Sequence, residues 1–153
     1  MMYNKMVQEK NENKTTVITA SRDIPAPVEK VWAIVSDVDN EPKYYSGLNS
    51  VKNTRKEGNI VEREITVGFR GQSSRQRVEI DNQGKSIIVT NLDGHIRGTR
   101  TVSLTSVGSA TRVSISWVLD LTDIPFIGRS IVRKNLEKST DDALKRLSEE
   151  LGT

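Results

Sequence analysis

Between residues 49 and 122 the turn residues come too close together for a helix to fit between them, so this stretch must form consecutive hairpins. Alternating segments run near 49–56, 60–69, 72–81, 86–92, 95–105 and 110–122. They are separated by Glu57-Gly58-Asn59, Gly71, Asn82-Gln83-Gly84, Asp93-Gly94 and Val107-Gly108-Ser109. Parallel neighbours would need crossovers of a dozen residues or more, whereas short turns join antiparallel strands. An antiparallel meander is the expectation.

The flanking segments complete the plan. Thr15 to Ile24 alternates as a further strand, which Pro25 and Pro27 end because proline gives nothing to a ladder. Val28, Val31, Trp32 and Val35 then recur at helical spacing, with Pro27 at the first turn. A second short helical segment is expected around Asn40 to Ser46, with Pro42 early in it and Gly47 closing it. After residue 122, Ile127, Ile131, Val132, Leu136, Ala143, Leu144, Leu147 and Leu151 read as one face of a long helix. About 24 residues of helix would span ~36 Å, enough to cross a sheet. A sheet with one apolar face needs a cover, and this helix is the only element large enough. The expected architecture is α+β: a seven-stranded curved antiparallel sheet around a long C-terminal helix, with two short helices between strands 1 and 2. Residues 15–153 form the single domain, and residues 1–14 are expected to be a flexible N-terminal tail.

Composition excludes several chemistries. With no cysteine and one histidine in 153 residues, disulfides, thiolate metal sites and cysteine nucleophiles are ruled out. No H-E-x-x-H, EF-hand, P-loop, Rossmann or nucleophile-elbow pattern occurs, so no metal or other cofactor is expected. The net charge of +3 is scattered, with no basic stripe and no interleaved aromatics, which argues against nucleic acid. No apolar run approaches the ~20 residues that span a bilayer, so stable membrane insertion is not expected. The polar N-terminus carries no signal core, and a cytoplasmic location is the expectation.

Two stretches carry a family resemblance. Ile24-Pro25-Ala26-Pro27-Val28-Glu29-Lys30-Val31-Trp32, followed by Ser36-Asp37-Val38-Asp39-Asn40-Glu41-Pro42-Lys43-Tyr44, is similar to an I-x-A-P-x-E-x-V-W … D-x-x-x-x-P-x-W opening. Gly98-Thr99-Arg100-Thr101-Val102-Ser103-Leu104 and Ala110-Thr111-Arg112-Val113 match the paired strands before the last helix. The chain resembles the START-like or Bet v 1-like (SRPBCC) superfamily, of the polyketide cyclase/dehydrase and lipid transport type. Tyr44 or Tyr45 stands where that family often has tryptophan. The resemblance implies a helix-grip fold enclosing a pocket for a hydrophobic small molecule. The superfamily includes carriers, receptors, cyclases and chaperone regulators, so fold does not select among them.

Strand parity predicts what such a pocket holds. Val61, Arg63, Ile65, Val67 and Phe69 share the inner face of one strand, and Ser74, Gln76, Val78 and Ile80 that of the next. Ile96, Gly98, Arg100, Val102 and Leu104 do so further on, then Val113, Ile115, Trp117, Leu119 and Leu121. The pocket-lining candidates from these faces are Arg63, Ile65, Val67, Phe69, Gln76, Val78, Arg100 and Trp117, joined by Tyr44, Tyr45, His95, Ile131 and Asn135. No acid shares the inner faces with Arg63 and Arg100. A partner from elsewhere, water, or the anionic or polar end of a ligand must serve them, unless a bulge or mouth position turns them outward. In plant abscisic-acid receptors of this superfamily a Gly-x-x-His-Arg loop latches over the ligand. Here the run is Asp93-Gly94-His95-Ile96-Arg97, so the adjacency is broken and an exposed turn histidine is the plainer alternative.

Three functions remain open at this stage. The first is non-catalytic binding or transport of a lipid, isoprenoid-like or polycyclic aromatic molecule. The second is an aromatase/cyclase-type enzyme, for which His95, Tyr44, Tyr45 or Arg63 could supply acid/base chemistry without any one standing out. The third is an interaction module with a vestigial pocket. Oligomeric state is open.

Overall fold

The computed structural model describes residues 15–68 and 70–152; the expected tail, residues 1–14, and Phe69 lie outside the described residues. The chain runs β1 (Thr15–Ile24), α1 (Val28–Val35), a 3-10 helix (Val38–Lys43), β2 (Leu48–Glu57), β3 (Ile60–Val67), β4 (Gln72–Asp81), β5 (Ser86–Asn91), β6 (Arg97–Val107), β7 (Ala110–Asp120) and α2 (Phe126–Glu150). The seven strands form one antiparallel sheet ordered β1-β7-β6-β5-β4-β3-β2. The hairpins from β2 to β7 lie side by side, and β1 returns to pair with β7. The strands flanking the two short helices therefore sit at opposite edges. This is the helix-grip arrangement.

The predicted parity holds on all four strands. Val61, Arg63 and Ile65 of β3 are buried, as are Gln76 and Val78 of β4, Arg100, Val102 and Leu104 of β6, and Val113, Ile115 and Leu119 of β7. The edge strand β2 is mostly exposed and carries Lys52, Arg55, Lys56 and Glu57, with two register shifts against β3. Charge and irregularity are the usual protection of an open edge. Gly98 marks a close approach in β6: its φ is +133°, and a Cβ there would lie 2.0 Å from the Val118 carbonyl oxygen. Only glycine allows β6 and β7 to meet there.

Two elements differ from the sequence expectation. The segment read as a helix around residues 40–46 is a 3-10 helix over Val38–Lys43. Its three-residue period sets Val38 and Glu41 on one side, and both are buried. The long helix is not apolar on one face. Val132, Leu136, Ala143, Leu144 and Leu147 pack inward, whereas Ile127 and Ile131 are 79% and 57% exposed. At 100° per residue those two isoleucines fall almost opposite the packed row.

The interior has two apolar clusters. The larger joins α1, the sheet and the C-terminal half of α2 through Val31, Trp32, Val102, Val113, Leu144 and Leu147. The smaller gathers Ile18, Leu119 and Leu121 against Ile96, Ile124, Val132 and Leu136. No helix among the described residues is long and apolar enough to cross a membrane.

Candidate functional site

A charged and aromatic belt crosses the inside of the sheet between these clusters. Register places Arg63 beside Gln76 and Gln76 beside Asn91, while Arg100 lies beside Trp117. Arg63 and Arg100 point inward, and both are buried. The partner that their own strands lack comes from the 3-10 helix. Glu41 accepts from Arg63 Nη2 through Oε1 at 2.5 Å and from Arg100 Nη2 through Oε2 at 2.5 Å. Arg63 also donates to Gln76 Oε1 from Nε at 3.0 Å and Nη2 at 2.9 Å, and to the Val38 carbonyl from Nη1 at 3.2 Å. Gln76 Nε2 donates to Asn91 Oδ1 at 2.8 Å, and Asn91 Nδ2 donates to the Ile96 carbonyl at 3.1 Å. The chain of bonds thus runs from the 3-10 helix across three strands to the β5–β6 loop.

Arg100 is less completely served. Its guanidinium carbon lies 4.2 Å from the centre of the Tyr45 ring and 5.5 Å from that of Trp117, within reach of cation–π attraction. Its Nε is buried and has no hydrogen-bond partner among the described residues. Two guanidinium groups against one carboxylate leave one positive charge in excess. Burial pushes the Tyr45 phenol above its ordinary pKa, and Arg100 offsets part of that. The phenol therefore stays protonated at neutral pH.

An apolar cavity adjoins the belt. Glu41, Tyr44, Tyr45 and Asp37 form its polar side; Ile34, Val35, Ile87, Val102, Val113, Ile115, Ala143, Leu144 and Leu147 form the rest. Its free volume is about 40 Å³, far below the ~300–1,000 Å³ of a typical small-molecule pocket. The wall made by residues 43–46 is held to α2 by polar contacts. Lys43 Nζ meets Glu150 Oε2 at 2.9 Å, and Ser139 Oγ donates to the Ser46 carbonyl at 2.9 Å.

The predicted lining residues divide accordingly. Tyr44 and Tyr45 line the cavity. Arg63, Gln76 and Arg100 build the belt, and Trp117 beside them donates from Nε1 to Thr140 Oγ1 at 2.9 Å. Ile65 and Val78 are buried in the sheet face and Val67 is half-buried, but none of the three lines this cavity. His95 is corrected: it is exposed in the β5–β6 loop, two residues before β6 begins. Ile131 and Asn135 are corrected as well, because the helix turns both to solvent. Among the described residues no three His, Cys, Asp or Glu side chains cluster as metal ligands would.

A family model described as polyketide cyclase / dehydrase and lipid transport matches residues 15–152. The chain belongs to this family. No curated protein matches it. Among solved structures it is similar to TTHA0849 from Thermus thermophilus, at 26% identity and a TM-score of 0.74, covering 88% of this chain and 95% of that one. The Zhui aromatase/cyclase from a Streptomyces species shares 13% identity with a TM-score of 0.74, over 89% and 93% of the two chains. A START superfamily protein from Mycobacterium smegmatis shares 15% identity with a TM-score of 0.68, over 88% and 95%. The last two likenesses are of fold. The family's description names both cyclase / dehydrase and lipid transport, and the fold does not choose between them.

Glu41 is the site residue that strand parity could not supply. No sequence signal singled it out, because whether Glu41 turns inward depends on the segment being 3-10 rather than α-helical.

Proposed function

We propose that the protein binds an apolar small molecule bearing a carbonyl or carboxylate at one end, with the apolar body in the cup and the polar end at Arg100. Arg100 carries this reading. A buried donor without a partner costs about 1–3 kcal/mol, and the surplus positive charge beside it favours an electron-rich oxygen. The aliphatic lining suits the body of such a molecule. Because the free volume is about 40 Å³, binding must move a wall outward. The segment bearing Tyr44 and Tyr45 is the suited wall, since its ties to α2 at Lys43 are solvent-exposed and weak.

The experiment compares thermal midpoints with long-chain carboxylic acids, aromatic carboxylic acids and alkanes of equal size, alongside native mass spectrometry of the purified protein. Acids should raise the midpoint more than alkanes, and Arg100→Leu should abolish that difference. If no compound shifts the midpoint and none co-purifies, the binding reading fails and the interaction module replaces it.

One observation favours a catalytic variant of the same site. The protonated Tyr45 phenol lines the cavity beside Arg100, where it could donate a proton to a polyketone oxygen. Tyr45→Phe would then abolish turnover of a poly-β-ketone substrate while leaving its binding intact.

A further inference from the structure

The inside of the cup is divided at one layer. On β6, Arg100 separates Val102 from Gly98; on β7, Trp117 separates Ile115 from Leu119; on α2, Thr140 separates Ala143 from Leu136. Val102, Ile115 and Ala143 line the cavity, whereas Leu119 and Leu136 belong to the smaller apolar cluster beyond it. Trp117 touches both clusters.

The three residues of the layer are joined. Arg100 and Trp117 are neighbours across the β6–β7 ladder, with the guanidinium carbon 5.5 Å from the indole centre. Trp117 Nε1 donates to Thr140 Oγ1 at 2.9 Å, and Thr140 Oγ1 donates to the Leu136 carbonyl at 2.6 Å. Thr140 is fully buried. A hydroxyl has one proton to give, so toward the indole Thr140 acts as acceptor. Turning the ring would strip its N–H of that acceptor, which holds it in place. The far side of the layer is thinly filled. Gly98 offers no side chain there, no α2 residue from 126 to 138 is buried, and Trp117 itself is only half-buried.

We infer that Trp117, held by Thr140, is a specificity-determining wall behind Arg100. It admits ligands whose polar group is terminal and excludes those with a further apolar arm beyond that group. The inference rests on the binding reading above, which puts the polar end at Arg100 and the apolar body in the cavity. A fatty acid would end at the indole. The alcohol arm of an ester would have to push the ring aside, breaking its bond to Thr140 and its contact with Arg100. Thr140 is a positioning residue, because it acts through the indole.

The test is isothermal titration of the full chain with octanoic acid, methyl octanoate and butyl octanoate. The two esters share one polar group and one acyl body, so the ratio of their affinities reads the wall alone. The unchanged protein should bind the butyl ester about thirtyfold more weakly than the methyl ester. Trp117→Leu should bring the two within about threefold of each other. Thr140→Val frees the indole and should give an intermediate ratio, whereas Thr140→Ser keeps the hydroxyl and should match the unchanged protein. A merely structural Thr140 would lower the thermal midpoint of the valine variant without moving the ratio. If Trp117→Leu does not fold, the two Thr140 variants decide. Equal affinity of the unchanged protein for both esters, or one ratio across all variants, overturns the inference, and the binding reading survives as long as octanoic acid binds. If octanoic acid fails to bind the unchanged protein, the binding reading falls and this inference falls with it.

Discussion

Glu41 is the residue on which the interior depends, since its one carboxylate bridges two arginines from strands well apart in the sheet. Removing one member of a buried ion cluster leaves the others charged and unpaired, at a cost of about 3–5 kcal/mol. Glu41→Ala should therefore lower the urea midpoint far more than a truncation at the exposed Asp39, as equilibrium unfolding will show. Tyr45 makes a pH prediction. Its pKa is raised in the folded state, so the unfolded chain binds fewer protons than the native one above the ordinary tyrosine range. Its contribution is fully present below about pH 10 and is lost as pH climbs through the higher folded value. The unchanged protein should lose stability above about pH 10 more steeply than Tyr45→Phe, and parallel curves would reject this role. Both arginines were legible from parity, because a period of two is rigid once a strand is correctly placed. Their acid was not, because it comes from a segment whose helical type decides which side chain turns inward.

At the scale of elements, β6 and α2 carry the sharpest tests. Gly98→Ala puts a methyl group against the Val118 carbonyl at a φ that L residues rarely adopt. We expect a loss of about 2–4 kcal/mol, seen as a lower thermal midpoint. The two faces of α2 can be separated by one pair of variants. Leu147→Ala removes a buried side chain and should cost about 2–5 kcal/mol. Ile131→Ser changes an exposed one and should stay within about 0.5 kcal/mol of the unchanged protein. Comparable losses from both would mean that Ile131 is packed after all. Helical spacing alone put Ile127 and Ile131 with the core, since a list of apolar residues every three or four positions fits two opposite rows as well as one. The hairpins were easier to read: turn residues such as Glu57-Gly58-Asn59 and Val107-Gly108-Ser109 mark both strand ends at once.

For the whole molecule, the issue is how a cup with so little free volume admits a ligand. Walls built from sheet are fixed by continuous ladders on both sides, as β6 is between β5 and β7. The wall at residues 43–47, beyond the Glu41 ion pairs, rests on a few ties to the last helix. Local opening concentrates where backbone hydrogen bonding is sparse. Hydrogen exchange should show residues 43–47 opening more readily than β6 and β7, and an acid-bearing apolar ligand should alter exchange there first. Changes confined to the outer sheet face would contradict that route.

The sequence by itself determined the order of elements, the antiparallel pairing and the inward parity of the strands, because these follow from local periodicity and turn chemistry. It also put Arg63 and Arg100 on the inward parity of their strands and named Tyr44 and Tyr45 as candidates of which one at most would reach the cavity, whereas both line it. Only the tertiary structure decided that Glu41 joins the two arginines, that His95 and Asn135 face solvent, and that the cavity holds only about 40 Å³ of free space. Those outcomes depend on distances between segments far apart in the chain, and on how closely α2 is pressed to the sheet. No local pattern encodes either.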